Sequence, residues 1–252
     1  MNRLVWLTIL CCSTLVSSQN KPQSIFILAG QSNMAGRAGI INGKWGNEVP
    51  PECKPSPQIQ RLSGKLVWEE AHDPLHKDID HRVSGIGPGM SFANAVLEKD
   101  PNIGVIGLVP CAVGGTTIDE WKKGMKLYND MIDRTKAALK DGGALRALLW
   151  YQGESDTSVL QDTETYKVKF EKFIADVRAD LQAPTLPVVQ VIVTSGDGDF
   201  VKEMREIQKT INVPNLKQVD SKGLELQVDN LHLTTESEIK VGQMLANAYL
   251  QF

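Results

Sequence analysis

The feature that most limits how this chain can fold is an alternation. Short apolar runs rich in β-formers take turns with stretches whose apolar residues recur every three or four positions. Ser24 to Ala29, Ile103 to Val109, Leu145 to Tyr151, Leu186 to Val193 and Leu216 to Val219 read as strands. Pro88 to Lys99, Leu127 to Lys140, Asp162 to Leu181 and Phe200 to Ile211 read as helices. A last helix, opened by a capping box of Thr235 with Glu238, runs towards Gln251. Strands joined through helices require right-handed crossovers and a sheet covered on both faces. The chain therefore predicts an α/β fold, a three-layer α/β/α sandwich around a central, mostly parallel five-stranded sheet.

Size and charge narrow the class. With 252 residues, 42% hydrophobic and 23% charged, the chain can bury one sizeable core, and one domain over residues 19–252 is expected. A net charge of -3 and no basic cluster give no electrostatic footprint for nucleic acid or for an anionic membrane. At the N-terminus, Arg3, the apolar stretch Leu4 to Val16 and the small residues Ser17 and Ser18 resemble a secretory signal over residues 1–18. Its apolar span of about 13 residues is short of the roughly 20 that a membrane-spanning helix needs. The expected mature protein is secreted and free of the membrane; an uncleaved anchor is the alternative. Cys11 and Cys12 would leave with the leader. Cys53 and Cys111 would remain, either paired across two loops or as two buried thiols.

Ile25 to Ala29 is followed at once by Gly30, Gln31, Ser32 and Asn33, so Ser32 falls at the carboxyl end of the first strand. In an open parallel sheet that end lines the ligand crevice. Ser32 is then a candidate nucleophile, or else Gln31, Ser32 and Asn33 cap the next helix. Asp229-Asn230-Leu231-His232, far downstream, supplies what a serine needs. An Asp three residues before a His can hold the imidazole in the tautomer whose other nitrogen takes the serine proton. Gly114-Gly115-Thr116, after the second strand, allows a backbone N–H to approach a developing oxyanion, or forms an ordinary strand-to-helix turn. It lacks the Lys of a phosphate-binding P-loop.

Four motifs in this order, Gly30-Gln31-Ser32-Asn33-Met34-Ala35-Gly36, Gly114-Gly115-Thr116, Trp150-Tyr151-Gln152-Gly153-Glu154-Ser155-Asp156 and Asp229-Asn230-Leu231-His232, resemble the sialate O-acetylesterase-like branch of the SGNH hydrolases. Within it the chain is similar to plant proteins grouped with carbohydrate esterase family six, which includes acetyl xylan esterases. The resemblance runs from about Gln23 to the C-terminus. It implies a flavodoxin-like sandwich, an acetylated carbohydrate as substrate and no metal or organic cofactor. It also implies that the Gln152 side-chain amide does what an Asn does in many SGNH hydrolases, donating to the oxyanion beside the N–H groups of Ser32 and of Gly114 or Gly115. Glu154, next to Gln152, either orients His232 in place of Asp229 or anchors a loop. Asn33 is a possible auxiliary.

The alternation is interrupted from Arg37 to Gly87, a Pro- and Gly-rich insert of about fifty residues, and loops that long are usually functional or carry structure of their own. Ile59-Gln60-Arg61-Leu62 and Lys65-Leu66-Val67-Trp68, around Ser63-Gly64, read as a small hairpin. Because the insert follows the strand carrying Ser32, it is expected to fold over the site, with Trp68 and His72, together with Trp121, as the substrate wall. Asp73 or His76 could touch a sugar hydroxyl, and Tyr151, like the two Trp, could offer a stacking face. His72 and His76 have helical metal-ligand spacing, but Pro74 between them argues against a helix.

The sequence thus predicts a secreted serine esterase that removes O-acetyl groups from acetylated xylan or a related cell-wall glycan through an acyl-enzyme, with Ser32, His232 and Asp229 as its triad. Two alternatives stay open. One is a carbohydrate O-acetyltransferase using the same residues, and the other a non-catalytic carbohydrate-binding protein on this fold.

Overall fold

The computed structural model describes residues 21–252; the expected leader, residues 1–18, lies outside the described residues. In chain order the strands are β1 (Ser24–Gly30), β2 (Ile40–Ile41), β3 (Lys44–Trp45), β4 (Ile59–Leu62), β5 (Trp68–Glu70), β6 (Ile106–Pro110), β7 (Ala144–Tyr151), β8 (Val188–Ile192) and β9 (Leu216–Asp220). The helices are α1 (Ser32–Ala35), α2 (Pro88–Lys99), α3 (Lys126–Leu139), α4 (Leu160–Asp180), α5 (Val201–Lys209) and α6 (Thr235–Tyr249). A seven-stranded sheet runs in the order β5-β4-β6-β1-β7-β8-β9, and β2 and β3 form a separate ribbon. Every pairing in the large sheet is parallel except that of β4 with β5.

β1 lies at the centre and is buried along its whole length, as its unbroken apolar run demands of a strand covered on both faces. Phe26 points to one layer, where its ring meets Phe92 of α2 at 5.0 Å and Tyr249 of α6 at 4.9 Å, both edge-on. Trp150 of β7, in register with Ala29 and so on the opposite face, packs against Phe170 and Phe173 of α4. α3 and α5 lie in this second layer with α4. The core is thus a pair of aromatic-rich seams, one on each side of β1.

The expected count of five strands is too low. The two additional strands of the main sheet are β4 and β5, the hairpin of the insert. β4 pairs in parallel with β6 (Ile59 with Ile106, Arg61 with Leu108), so the insert extends the sheet edge and is not confined to a flap over it. Ile59 and Leu62 are apolar and gain from that burial. The hairpin turn is also longer than Ser63-Gly64, because the Ser63 and Leu66 backbones close it with Leu66 at φ 60°, and the second strand starts only at Trp68. The capping box expected of Thr235 with Glu238 does not form. Thr234 is the cap and its Oγ1 accepts the Ser237 N–H, while Glu238 is fully buried.

After β6 the chain crosses to the other side of β1 and builds β7, β8 and β9 outward. The loops after β6 and β7 therefore diverge over the carboxyl end of β1, the switch point where open α/β sheets bind ligands.

Candidate active site

β1 ends in a turn that only glycine fits. Gly30 has φ 130°, and a Cβ there would lie 2.1 Å from the Tyr151 carbonyl oxygen of the neighbouring strand. The next N–H, of Gln31, donates to that same carbonyl at 2.9 Å. Ser32 then opens α1, 2% exposed. The capping alternative for this triplet fails, since the residue at the cap position, Gln31, makes no side-chain capping bond. Gln31 Oε1 instead accepts the backbone N–H groups of Gly153 and Ser155, tying the Ser32 segment to the loop after β7.

His232 sits on a tight turn built by Asp229. Asp229 Oδ1 accepts the backbone N–H of Leu231 and of His232, both at 3.0 Å, and Oδ2 lies 2.7 Å from His232 Nδ1. Asn230, at the turn, takes the left-handed conformation that Asn tolerates. Partial burial works against the Asp229 charge, but the two N–H groups and the imidazole outweigh it and hold the carboxyl below the usual carboxylate range. With Nδ1–H donated to Asp229, the tautomer assigned from this geometry leaves Nε2 as an acceptor. No hydrogen bond joins Ser32 Oγ to the imidazole in this state.

The two segments are brought together by Asn33. Its Oδ1 accepts the Leu233 N–H at 3.1 Å and its Nδ2 donates to the Leu231 carbonyl at 3.4 Å, so one side chain grips the peptide on each side of His232. Nδ2 also donates to Glu154 Oε1 at 2.8 Å. Glu154 is fully buried and makes no hydrogen bond to His232. Burial pushes the Glu154 carboxyl up to about 7, against the opposing pull of the Asn33 amide.

The expected oxyanion donors fare unequally. The Gly114 N–H is already taken: it donates to Asp80 Oδ2 at 3.0 Å. Asp80 is in turn paired with the buried Arg37 guanidinium, and a Cβ on Gly114 would lie 2.2 Å from Arg37 Nη2. Gln152 is also engaged, because its NH2 donates to Asp156 Oδ2 at 2.5 Å and to the Thr116 carbonyl at 2.9 Å, with Gln31 Oε1 a third acceptor at 3.2 Å. Two hydrogens already shared among three acceptors leave none for a substrate, and Gln152 is fully buried. The donor roles expected of Gly114 and Gln152 are therefore corrected in this state. The N–H groups of Ser32 and Gly115 donate to no protein group among the described residues, and Gly115 is exposed.

The expected substrate wall is largely corrected. Trp121 is fully buried, edge-on to Trp150 at 5.2 Å, and its Nε1 donates to Thr116 Oγ1. Tyr151 is fully buried as well. Trp68 lies half-buried over Gly107, in the first half of β6 and therefore away from the carboxyl ends of the strands. His72 is exposed, but its ring nitrogens lie 3.1 Å from the Asp73 carbonyl and 3.2 Å from Lys77 Nζ, and it makes no hydrogen bond to the segments of Ser32, Gly114 or His232. Asp73 and His76 are in the core and cannot reach a sugar. Cys53 and Cys111 are free buried thiols, and burial pushes Cys111 up to about 11. Arg37, Asp80 and Asp156 are the residues that sequence reasoning missed. Asp80 lies within the run from His72 to His81, whose density of charge was the one available signal.

The parallel α/β sandwich thus carries a buried serine and a carboxylate-held histidine near its switch point. A family model described as carbohydrate esterase, sialic acid-specific acetylesterase, matches residues 22–251, and the chain belongs to this family. A probable carbohydrate esterase from Arabidopsis thaliana is 49% identical over 243 residues, covering 93% of each chain. An X-ray structure of an Arabidopsis thaliana protein, 50% identical, superposes with a TM-score of 0.88 over 91% of this chain and 98% of that one. A carbohydrate acetylesterase from Xanthomonas citri shares the fold at 18% identity, with a TM-score of 0.61 over 89% of this chain and 55% of that one. The protein is thus a carbohydrate esterase, a carboxylic ester hydrolase.

Proposed function

We propose that this esterase removes O-acetyl groups from an acetylated cell-wall glycan, xylan being the first candidate, by a two-step acyl-enzyme route, and that it does so as a secreted protein. Ser32 Oγ attacks the ester carbonyl while His232 Nε2 takes its proton, and Asp229 stabilises the imidazolium. The oxyanion is held by the N–H groups of Ser32 and Gly115. Collapse breaks the bond to the sugar oxygen, which takes the proton from His232 and leaves an acetyl group on Ser32. Water, deprotonated by His232, then releases acetate and returns Ser32 to its starting form.

The observation that carries the reading is the 2.7 Å contact of Asp229 with His232 Nδ1, on a loop gripped by the residue next to Ser32. The open Ser32 to His232 contact is compatible with it, since catalytic hydrogen bonds are often long before substrate binds. The test is acetate release from a panel of acetylated glycans by wild type and Ser32→Ala. The expected outcome is release with acetylated xylan that Ser32→Ala lacks. Equal release by both proteins refutes the serine mechanism, and release only from other glycans moves the substrate away from xylan.

A further inference from the structure

We propose that Asn33 is a positioning residue for catalysis: its amide sets the register between Ser32 and the His232 loop, and Glu154 locks that amide in its working orientation. The inference rests on the reading of Ser32 and His232 given above.

Asn33 is fully buried, and all three of its polar contacts are specified. The Oδ1 contact with Leu233 N–H and the Nδ2 contact with Leu231 carbonyl imitate one rung of a β-ladder, with His232 held between them. An amide turned by 180° would set oxygen against the Leu231 carbonyl and Glu154 Oε1, and NH2 against an N–H. Glu154 adds to this selection, because its Oε1 accepts from the nitrogen side of the amide. Ser195 Oγ also donates to the Leu231 carbonyl at 2.6 Å, so this carbonyl is held twice. Asn33 adjoins Ser32 directly, so a shift of this clamp changes the distance between nucleophile and base. A misplacement of about 1 Å can cost on the order of a hundredfold in rate.

The experiment is steady-state kinetics on an acetyl ester, with the rate of Ser32 labelling by a fluorophosphonate probe, for Asn33→Ala, Asn33→Asp, Ser195→Ala, Glu154→Leu and Glu154→Gln. Asn33→Asp keeps the shape and the acceptor for Leu233 N–H but loses both donors. For the Asn33 variants kcat is expected to fall at least tenfold with KM within about twofold, and labelling to slow in proportion, at an unchanged circular dichroism spectrum. Glu154→Leu should slow both rates, and Glu154→Gln, which still offers an oxygen to Nδ2, should restore them. A kcat within twofold of wild type in folded Asn33→Asp overturns the proposal. Should both Asn33 variants fail to fold, Ser195→Ala and the Glu154 pair decide: wild-type kcat and labelling in Ser195→Ala and Glu154→Leu overturn it. Ser32→Ala separates the two failures, since activity surviving in Ser32→Ala removes the triad reading, whereas activity lost there but kept in the Asn33 variants removes only this inference.

Discussion

The side-chain amide of Gln152 has two hydrogens and three oxygens within reach, and that valence decides its role. With the NH2 turned to the Asp156 carboxyl, the Thr116 carbonyl and Gln31, Gln152 braces the wall behind Ser32. Gln152→Leu should therefore lower stability by about 1 to 3 kcal/mol, the cost of stranding buried partners. An oxyanion donor would instead cost about 2.7 to 4 kcal/mol in the transition state, and urea melts measured alongside kcat distinguish the two. The carboxylates differ just as sharply. Asp229 touches the imidazole and Glu154 touches Asn33, so Asp229→Asn should lower kcat on the order of ten-thousandfold, while Glu154→Gln should leave it within a few-fold. Ser32, His232 and Asp229 stood out in the sequence as a candidate nucleophile, base and orienter because these are distinctive residue types at distinctive spacing. Whether an amide is free to donate is a matter of what surrounds it, and no local spacing encodes that.

Among the elements, the loop after β6 shows how the insert shapes the site. Asp80 accepts the Gly114 N–H and binds the Arg37 guanidinium, so a residue of the insert fixes the turn that presents Gly115. The Arg37 guanidinium holds the Asp80 carboxyl below the usual range against its burial. Asp80→Ala should destabilise the protein by about 3 to 5 kcal/mol, because Arg37 would keep a buried charge without its partner, and a denaturant titration against wild type measures it. The strand and helix alternation was legible from the sequence because β1 is rich in apolar β-formers, β7 and β8 are apolar runs broken only by Arg146 and Gln190, and the helices keep their period. The joining of the Ile59–Leu62 hairpin to the main sheet was not. β4 is four residues long, and its parallel partner β6 begins only at Ile106, so nothing near Ile59 announces the pairing. Trp68 and Trp121 misled for a related reason: an aromatic next to a loop has the same sequence signature whether it faces a substrate or, like Trp121 against Trp150, the core.

For the molecule as a whole, buried carboxyls couple stability to pH. Burial raises Glu154 and Asp156 to about 7 and Asp73 to about 8, and lifts Glu238 well above its ordinary range. Each folded pKa lies above its unfolded value, so the native state binds more protons than the unfolded chain from about pH 4 to 8, and stability falls as pH rises through that window. Asp78, held at about 2 by Arg61 and the Gly64 N–H despite its partial burial, has the opposite sign and weakens the fold as pH drops below about 4. Melting temperature should therefore be higher at pH 5 than at pH 8, and Glu154→Gln should reduce the difference. A melting temperature that rises from pH 5 to 8 would count against these burial effects.

The Leu233 N–H reaches an acceptor 200 positions earlier in the chain, at Asn33. On the proposed mechanism, the ribosome delivers the nucleophile long before the base, and every translation intermediate that stops short of His232 carries a serine with nothing to activate it. Hydrolytic competence is in this sense a late acquisition: the sheet's central strand is made first, and chemistry arrives with the loop that closes back upon it.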